Sequence, residues 1–285
     1  MKILVTGAFG QVGRSLLNSL HANLKIIWTG THIPKGGSGF HLDILDRINI
    51  RELINLHQPD ILINLAALTN VDFCEKNPVL AKKINVNGVS NICDIFKGKI
   101  IQLSTDYVFD GKNGPYIEED KVSPLSIYGK TKLEAEKIII NHNPDNLILR
   151  GNVLYDYNKY TKASFLNWVI NSLNQKISIN VVNDQINNPT WTKSMSHVIS
   201  SCIEKGISGI YHWGDANFIS RYKFAKMIAE KYSLDDSLIN PITTKELGQL
   251  APRPLNSGLI ADKLIKVLDV AQPSIDECLN KIILK

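Results

Sequence analysis

The segment Gly7-Ala8-Phe9-Gly10-Gln11-Val12-Gly13 constrains this chain more tightly than any other. It follows directly on a short apolar run, Lys2–Thr6, and opens a helical pattern from about Gly10 to Leu20. Glycine permits a tight turn and lets backbone N–H groups approach a bound pyrophosphate. The positive end of the following helix points at the same anion. Glycines alone are a weak signal, but a strand before them and a helix after them supply the context of a nucleotide-binding βα turn.

The first half of the chain keeps alternating. Lys25–Thr29, Asp60–Leu65, Lys99–Ser104 and Asn146–Arg150 read as strands. Between them, Asp46–His57 carries Ile50, Leu53, Ile54 and His57 at helical spacing. Pro78 suits a first turn and opens a helix expected to run through Phe96. Ser126–His142 is a further helix. Strands alternating with helices predict an α/β fold, a Rossmann-like doubly wound parallel sheet, over residues 1–150. Beyond Arg150 the pattern loosens into helical stretches at Ala163–Asn174, Trp191–Lys205, Arg221–Lys231, Ala261–Leu268 and Ser274–Leu284. Residues 151–285 are expected to form mainly a smaller substrate-binding lobe. Its strand-like segments, Ile177–Val182 and Gly209–Trp213, are expected to return to the sheet.

Composition excludes several classes. The 285 residues are 44% hydrophobic and 21% charged, an ordinary globular balance. No run approaches the ~18 consecutive apolar residues of a membrane helix. The N-terminal MKILVTGAFG lacks the long apolar core and cleavage site of a signal peptide, so a cytoplasmic protein is expected, with no membrane partner. Four widely spaced cysteines form no CxxC pair, which argues against zinc and for reduced, mostly buried thiols. The net charge of +5 is scattered rather than striped, so no nucleic-acid partner is expected.

The second strand ends in Trp28-Thr29-Gly30-Thr31-His32, with Lys35 beyond it. No Asp or Glu stands there to take a ribose 2′-OH. His32 and Lys35 suit a 2′-phosphate instead, so NADPH is expected, with NADH as the alternative. Further on, Tyr128-Gly129-Lys130-Thr131-Lys132 opens the helix after the fourth strand. Residues four apart share a helix face, so Tyr128 and Lys132 address one site and Lys130 does not. A nearby ammonium favours a phenolate. Lowering a tyrosine from about 10 by about three units corresponds to roughly 4 kcal/mol, and would let Tyr128 exchange a proton near neutral pH.

GxxGxxG followed by this tyrosine–lysine pair resembles the extended branch of the short-chain dehydrogenase/reductase superfamily. Ser104-Thr105, a little over twenty residues before Tyr128, is similar to the first member of its Ser/Thr–Tyr–Lys triad. The resemblance implies that Thr105, Tyr128 and Lys132 are catalytic, with Thr105 holding a substrate carbonyl and Lys132 also meeting the nicotinamide ribose. It implies cofactor contacts at Asp43 and Ile44, near the adenine, and at Ala66 and Ala67 in the turn Asn64-Leu65-Ala66-Ala67.

Longer segments narrow the family. Ser104-Thr105-Asp106-Tyr107-Val108-Phe109-Asp110-Gly111 resembles the STDYVF-G stretch of dTDP-4-dehydrorhamnose reductases. Thr69, Val71, Asp72 and Glu75 match their T-x-V-D-x-x-E segment. Asn183-Asp184-Gln185 with Pro189-Thr190, and Arg253-Pro254-Leu255-Asn256-Ser257, match two more. The resemblance implies a nucleotide-sugar substrate, contacted by Thr69, Val71, Asp72, Thr105, Asp106, Val153 and Arg253. Related dehydratases carry Thr-Asp-Glu where this chain has Thr105-Asp106-Tyr107; the missing Glu favours simple carbonyl reduction.

Two departures stand out. Val153 occupies a position where the family commonly has Trp, which should reshape the sugar pocket. Ser15 stands where some members place a carboxylate used for metal-linked dimerisation, so no metal is expected, and both monomer and homodimer stay open. Two other readings also stay open: a sugar-nucleotide epimerase that recycles its nicotinamide, and a non-catalytic subunit resembling the regulatory subunit of methionine adenosyltransferase.

Overall fold

The computed structural model describes residues 1–17, 19–20, 24–158 and 164–284. In chain order its strands are β1 (Lys2–Thr6), β2 (Lys25–Gly30), β3 (Phe40–His41), β4 (Ile61–Asn64), β5 (Lys99–Thr105), β6 (Leu147–Gly151), β7 (Leu154–Tyr155), β8 (Ile179–Val182), β9 (Ile186–Asn187), β10 (Thr190–Trp191), β11 (Gly209–His212), β12 (Ile219–Ser220) and β13 (Ile239–Ile242). The α-helices are α1 (Gln11–Leu17), α2 (Arg47–His57), α3 (Val71–Lys76), α4 (Pro78–Lys82), α5 (Gly88–Ile95), α6 (Ile127–His142), α7 (Phe165–Asn174), α8 (Thr192–Glu204), α9 (Arg221–Lys231), α10 (Thr244–Leu247), α11 (Asp262–Leu268) and α12 (Ile275–Lys281).

Seven strands form one parallel sheet in the order β11-β6-β5-β4-β1-β2-β3. The strand order reverses between β1 and β4. In sheets wound this way the crevice at the carboxyl ends of those two strands is where ligands bind. Helices cover both faces, so the strands are apolar on both sides along most of their length, with polar residues gathered toward their carboxyl ends. Ile3, Val5, Ile63, Ile101, Leu147 and Leu149 pack on one face with Met195, Val198 and Ile199 of α8 and Leu264 of α11. Leu4, Leu62, Ile100 and Ile148 pack on the other with Leu53 of α2, Ile92 of α5 and Ile139 of α6.

Local signals explain the helix ends. Asp46 caps α2 by accepting from the N–H groups of Ile48 and Asn49, each at 3.0 Å. Gln58 closes that helix in a left-handed conformation, with φ of 49°. The helix expected over Pro78–Phe96 is instead interrupted. Lys83–Asn87 forms a π-turn between α4 and α5. This turn puts the buried Asn85 side chain against the Leu68 backbone, accepting from its N–H at 2.8 Å and donating to its carbonyl at 3.1 Å. The hydrogen bonds explain the interruption, since π-turns gather where a side chain must be re-aimed.

Gly209–His212 lies beside β6 at the edge of the sheet. Ile179–Val182 does not return to it, contrary to the sequence expectation. It pairs in parallel with Ile239–Ile242. Ile179 and Val181 are buried in a separate core with Val169 and Leu173 of α7, and Phe224 and Ile228 of α9. That core belongs to the C-terminal half and gives β8 an apolar partner of its own. The expected helix start at Ala163 lies outside the described residues; α7 begins at Phe165. All four cysteines are buried and unpaired. Among the described residues, no helix is long and apolar enough to cross a membrane.

The central sheet should carry most of the stability. Leu149→Ala, at a position with no exposure, should cost about 2–5 kcal/mol in urea unfolding. Val79→Ala, 82% exposed, should stay within about 0.5 kcal/mol. Equal effects would contradict this assignment of the core.

Candidate active site

The glycine turn sits where β1 meets the crevice. Gly7 adopts φ of +62°, and a Cβ there would lie 2.7 Å from the Ala66 nitrogen. A Cβ on Gly13 would lie 2.1 Å from the Ala8 carbonyl oxygen. Neither position tolerates a side chain, so glycine here lets the turn pack closely against the end of β4 and the start of α1 pack closely against Ala8. Beside the turn, Oε1 of Gln11 is buried with no hydrogen-bond partner among the described residues. An orphaned acceptor at a bare glycine turn fits a ligand that brings both phosphates and donor hydroxyls, as a dinucleotide does.

The other predicted cofactor residues surround this point. Phe9 is half-buried beside Gly30 and Gly39, and Val12 is buried. Ala66 and Ala67 are half-buried at the end of β4, and Ile44 is buried against Gly88. Asp43 accepts from the Leu45 N–H at 2.9 Å. Gly10 and His32 are exposed.

Buried polar side chains connect the strands. Thr6 Oγ1 donates to Asn64 Oδ1 at 2.5 Å, Asn64 donates to Gln102 Oε1 at 2.8 Å, and Gln102 donates to the Leu103 carbonyl at 2.9 Å. Lys132 Nζ donates to that same carbonyl at 2.6 Å. A continuous chain therefore runs from Thr6, just before the glycine turn, to Lys132.

α6 delivers Tyr128 and Lys132. Ser126 caps it by accepting from the Gly129 N–H at 3.2 Å, and Glu75 of α3 accepts from the Ile127 N–H at 2.9 Å. Gly129 lets the helix approach the turn after β5, because a Cβ there would lie 2.2 Å from the Tyr107 carbonyl oxygen. The Tyr107 and Tyr128 rings meet edge to face at 5.7 Å. Thr105, at the end of β5, faces Tyr128 and acts to lower its pKa. The structure thus brings Thr105, Tyr128 and Lys132 to one end of the sheet.

The electrostatics differ from the sequence expectation. Lys132 was expected to favour the Tyr128 phenolate and lower its pKa toward neutral pH. Burial instead raises its pKa well above the ordinary tyrosine value, with the Thr105 hydrogen bond opposing that rise. Burial also lowers Lys132, to about 8, against the pull of Glu136. Desolvation dominates at Tyr128 and favours the neutral phenol, the form able to give a proton.

The predicted substrate residues divide into two sets. Asp72 and Arg253 pair with each other at 2.9 Å, and Asp72 also accepts from the Ala251 N–H at 3.0 Å. Arg253 stands 6.0 Å from the Tyr107 ring centroid. Asp106 is buried behind Thr105. Thr69 is exposed and Val71 half-buried, at the mouth. Val153 has φ of +39°, a strained conformation for a β-branched residue. The Asn183-Asp184-Gln185 motif acts as support. Asp184 accepts from the Thr244 N–H at 2.9 Å, Gln185 donates to Thr244 Oγ1 at 3.0 Å, and Ile186 exchanges backbone hydrogen bonds with Leu255 and Ser257. These contacts hold the segment that carries Arg253.

Sequence reading missed two charged residues. Arg221, at the start of α9, faces Tyr107 and Asp106. Glu136 lies one turn beyond Lys132 and forms a buried bidentate pair with Arg150, at 2.9 and 2.8 Å, while also accepting from Ser104 Oγ at 2.5 Å. The four-residue spacing from Lys132 was a signal for Glu136; nothing local marked Arg221.

The whole chain, residues 1–285, matches the family model described as the RmlD substrate binding domain. It is 33% identical over 288 residues to a dTDP-4-dehydrorhamnose reductase of Aggregatibacter actinomycetemcomitans, covering 96% of this chain and 95% of the relative. It is 31% identical over 281 residues to methionine adenosyltransferase 2 subunit beta of Xenopus tropicalis, covering 93% and 82%. Among solved structures, dTDP-4-dehydrorhamnose reductase of Bacillus anthracis in complex with NADP superposes with a TM-score of 0.89 at 28% identity, covering 99% and 98%.

Removing one partner of a buried ion pair leaves an uncompensated charge, so Glu136→Gln should cost about 3–5 kcal/mol in urea unfolding. The double variant Glu136→Gln/Arg150→Met should recover much of that loss. A double variant as unstable as the sum of its parts would show that the two residues act separately. With this geometry and full-length match, the chain belongs to the dTDP-4-dehydrorhamnose reductase-like family defined by the RmlD substrate binding domain.

Proposed function

We propose that this protein is an NAD(P)H-dependent reductase of the C4 keto group of a nucleotide-linked 6-deoxyhexose, with dTDP-4-dehydrorhamnose as the first substrate to test. The observation that carries the proposal is the convergence of Thr105, Tyr128 and Lys132 beside the bare glycine turn. The reductase relative and the NADP complex of the Bacillus anthracis structure support it.

A reduced nicotinamide, when bound, supplies the hydride. The protein must position the carbonyl and deliver a proton to its oxygen. Tyr128 is kept protonated by burial, so it supplies the proton from its phenol oxygen. Thr105 holds the carbonyl oxygen. Lys132, anchored on the Leu103 carbonyl, places a positive charge near the phenolate that Tyr128 becomes. Gln11, Phe9 and the glycine backbone hold the dinucleotide; Val71, Val153 and the Asp72–Arg253 pair border the sugar nucleotide. NADPH is put before NADH because no carboxylate stands at the end of β2.

The regulatory-subunit relative gives a second reading its weight. The test is loss of reduced-nicotinamide absorbance with dTDP-4-dehydrorhamnose, with NADPH and NADH in separate runs. Wild type should consume cofactor stoichiometrically, and Tyr128→Phe should lose at least about 100-fold in kcat while binding cofactor normally. No net consumption alongside sugar interconversion would indicate an epimerase. No reaction with cofactor bound would favour the non-catalytic reading. Lys132 is charged below about 8 and loses its proton as pH rises through that value, so kcat/KM should fall on the alkaline side. Lys132→Met should abolish that limb along with most turnover.

A further inference from the structure

The Thr105 hydroxyl has one proton to give and two lone pairs to offer. Here it donates to Asp106 Oδ1 at 3.1 Å and accepts from the Tyr107 N–H at 3.2 Å. Asp106 is 1% exposed, and its other oxygen accepts from Ser257 Oγ at 2.5 Å. Ser257 is equally buried and is tied by its own N–H to the Ile186 carbonyl at 3.0 Å. A buried carboxyl therefore stands directly behind the hydroxyl assigned to the substrate carbonyl, braced from the far end of the chain.

We propose that Asp106, held by Ser257, is a positioning residue that sets where the Thr105 proton points, and so decides whether Thr105 can donate to a carbonyl. The proposal rests on the reductase reading given above. An ionised carboxylate can only accept, so the Thr105 proton lies on Oδ1, and what Thr105 turns toward Tyr128 and the reaction space is a lone pair. A protonated carboxyl can donate to Thr105 Oγ1, which frees the Thr105 proton for a carbonyl oxygen. No bond to carbon forms or breaks; Asp106 takes one proton from solvent, and Thr105 exchanges one hydrogen-bond partner for another.

The groups facing Asp106 come from several elements. Ser257 approaches from the segment before α11, Arg221 from the start of α9, Thr105 and Tyr107 from the end of β5, and Tyr128 from α6. The Asp72–Arg253 pair lies beyond Tyr107. Burial favours the neutral acid, while Ser257, Arg221 and Thr105 favour the carboxylate. The balance raises Asp106 to about 6. The proton switch then falls on the acid side of the Lys132 limb.

The test is the pH profile of kcat/KM for the full chain, using dTDP-4-dehydrorhamnose and NADPH. Wild type should lose about 10–100-fold as pH rises through the Asp106 titration, the factor expected when Thr105 must break a hydrogen bond to a charged group. Ser257→Ala removes a donor that favours the carboxylate, so this limb should move about one unit to higher pH; Ser257→Thr should restore it. Asp106→Asn should flatten the limb and leave only the one near 8. A limb unmoved in Ser257→Ala and persisting in Asp106→Asn would overturn the proposal. A substrate-free readout separates it from the reductase reading. By carboxyl-carbon NMR, Asp106 should titrate near 6 in wild type and higher in both Ser257→Ala and Thr105→Val. A midpoint unmoved in both variants overturns the linkage whatever the substrate does. The expected NMR shifts without wild-type turnover would support the linkage and contradict the reductase reading alone.

Discussion

Three neighbouring strands in this protein are tied together by hydrogen bonds buried from water, and the site depends on that tie. Thr6, Asn64 and Gln102 belong to β1, β4 and β5, and each is about 1% exposed. Unpaired polar groups at such positions would be costly, so the side chains must satisfy one another, which fixes the strands relative to each other. The chain ends on the Leu103 carbonyl, which also receives Lys132. The place where a dinucleotide can approach the backbone and the place where a proton can be delivered are therefore registered through one network. The reversal of strand order between β1 and β4 opens the crevice; the buried hydrogen bonds set its dimensions.

Around this frame, burial does more than the local charges. Tyr128, Lys132 and Asp106 are all moved toward their neutral forms by desolvation, against hydrogen bonds or charges that oppose the move. The C-terminal segment contributes to the same environment. Ser257 reaches Asp106 and Arg253 reaches Asp72, across 151 and 181 residues of chain. Those contacts close the site from the lobe side.

The sequence made the frame legible because its signals are local. Lys2–Thr6 followed by glycines, the fourth strand ending at Ser104-Thr105, and the Tyr128–Lys132 spacing each depend on a few adjacent residues. Element boundaries were close at Asp46 and Ser126, where a cap marks the helix start, whereas the short capped helices α3 and α10 were not read from the sequence. What was not legible depended on distant partners. The π-turn at Lys83–Asn87 exists to aim Asn85 at Leu68, which periodicity within one helix does not reveal. β8 looked like a strand of the main sheet because its apolar pattern fits either partner; its true neighbour, β13, lies some sixty residues on. Asp72 and Arg253 were each read as facing substrate, and their mutual pairing appears only in three dimensions. The Tyr128 expectation differed for a related reason: spacing identified the lysine, but only the fold shows the desolvation that favours the neutral form of each group.

On the proposed function, desolvation holds the half-buried Tyr128 as a phenol able to give a proton beside the dinucleotide crevice. The most direct measurement is an ultraviolet difference titration of wild type minus Tyr128→Phe, which isolates this one phenolate from the other eight tyrosines. The account predicts that the Tyr128 phenolate signal appears only above the ordinary tyrosine value of 10.0. A phenolate appearing near neutral pH in the free protein would contradict it, and would show that the lysine, not burial, controls the acid.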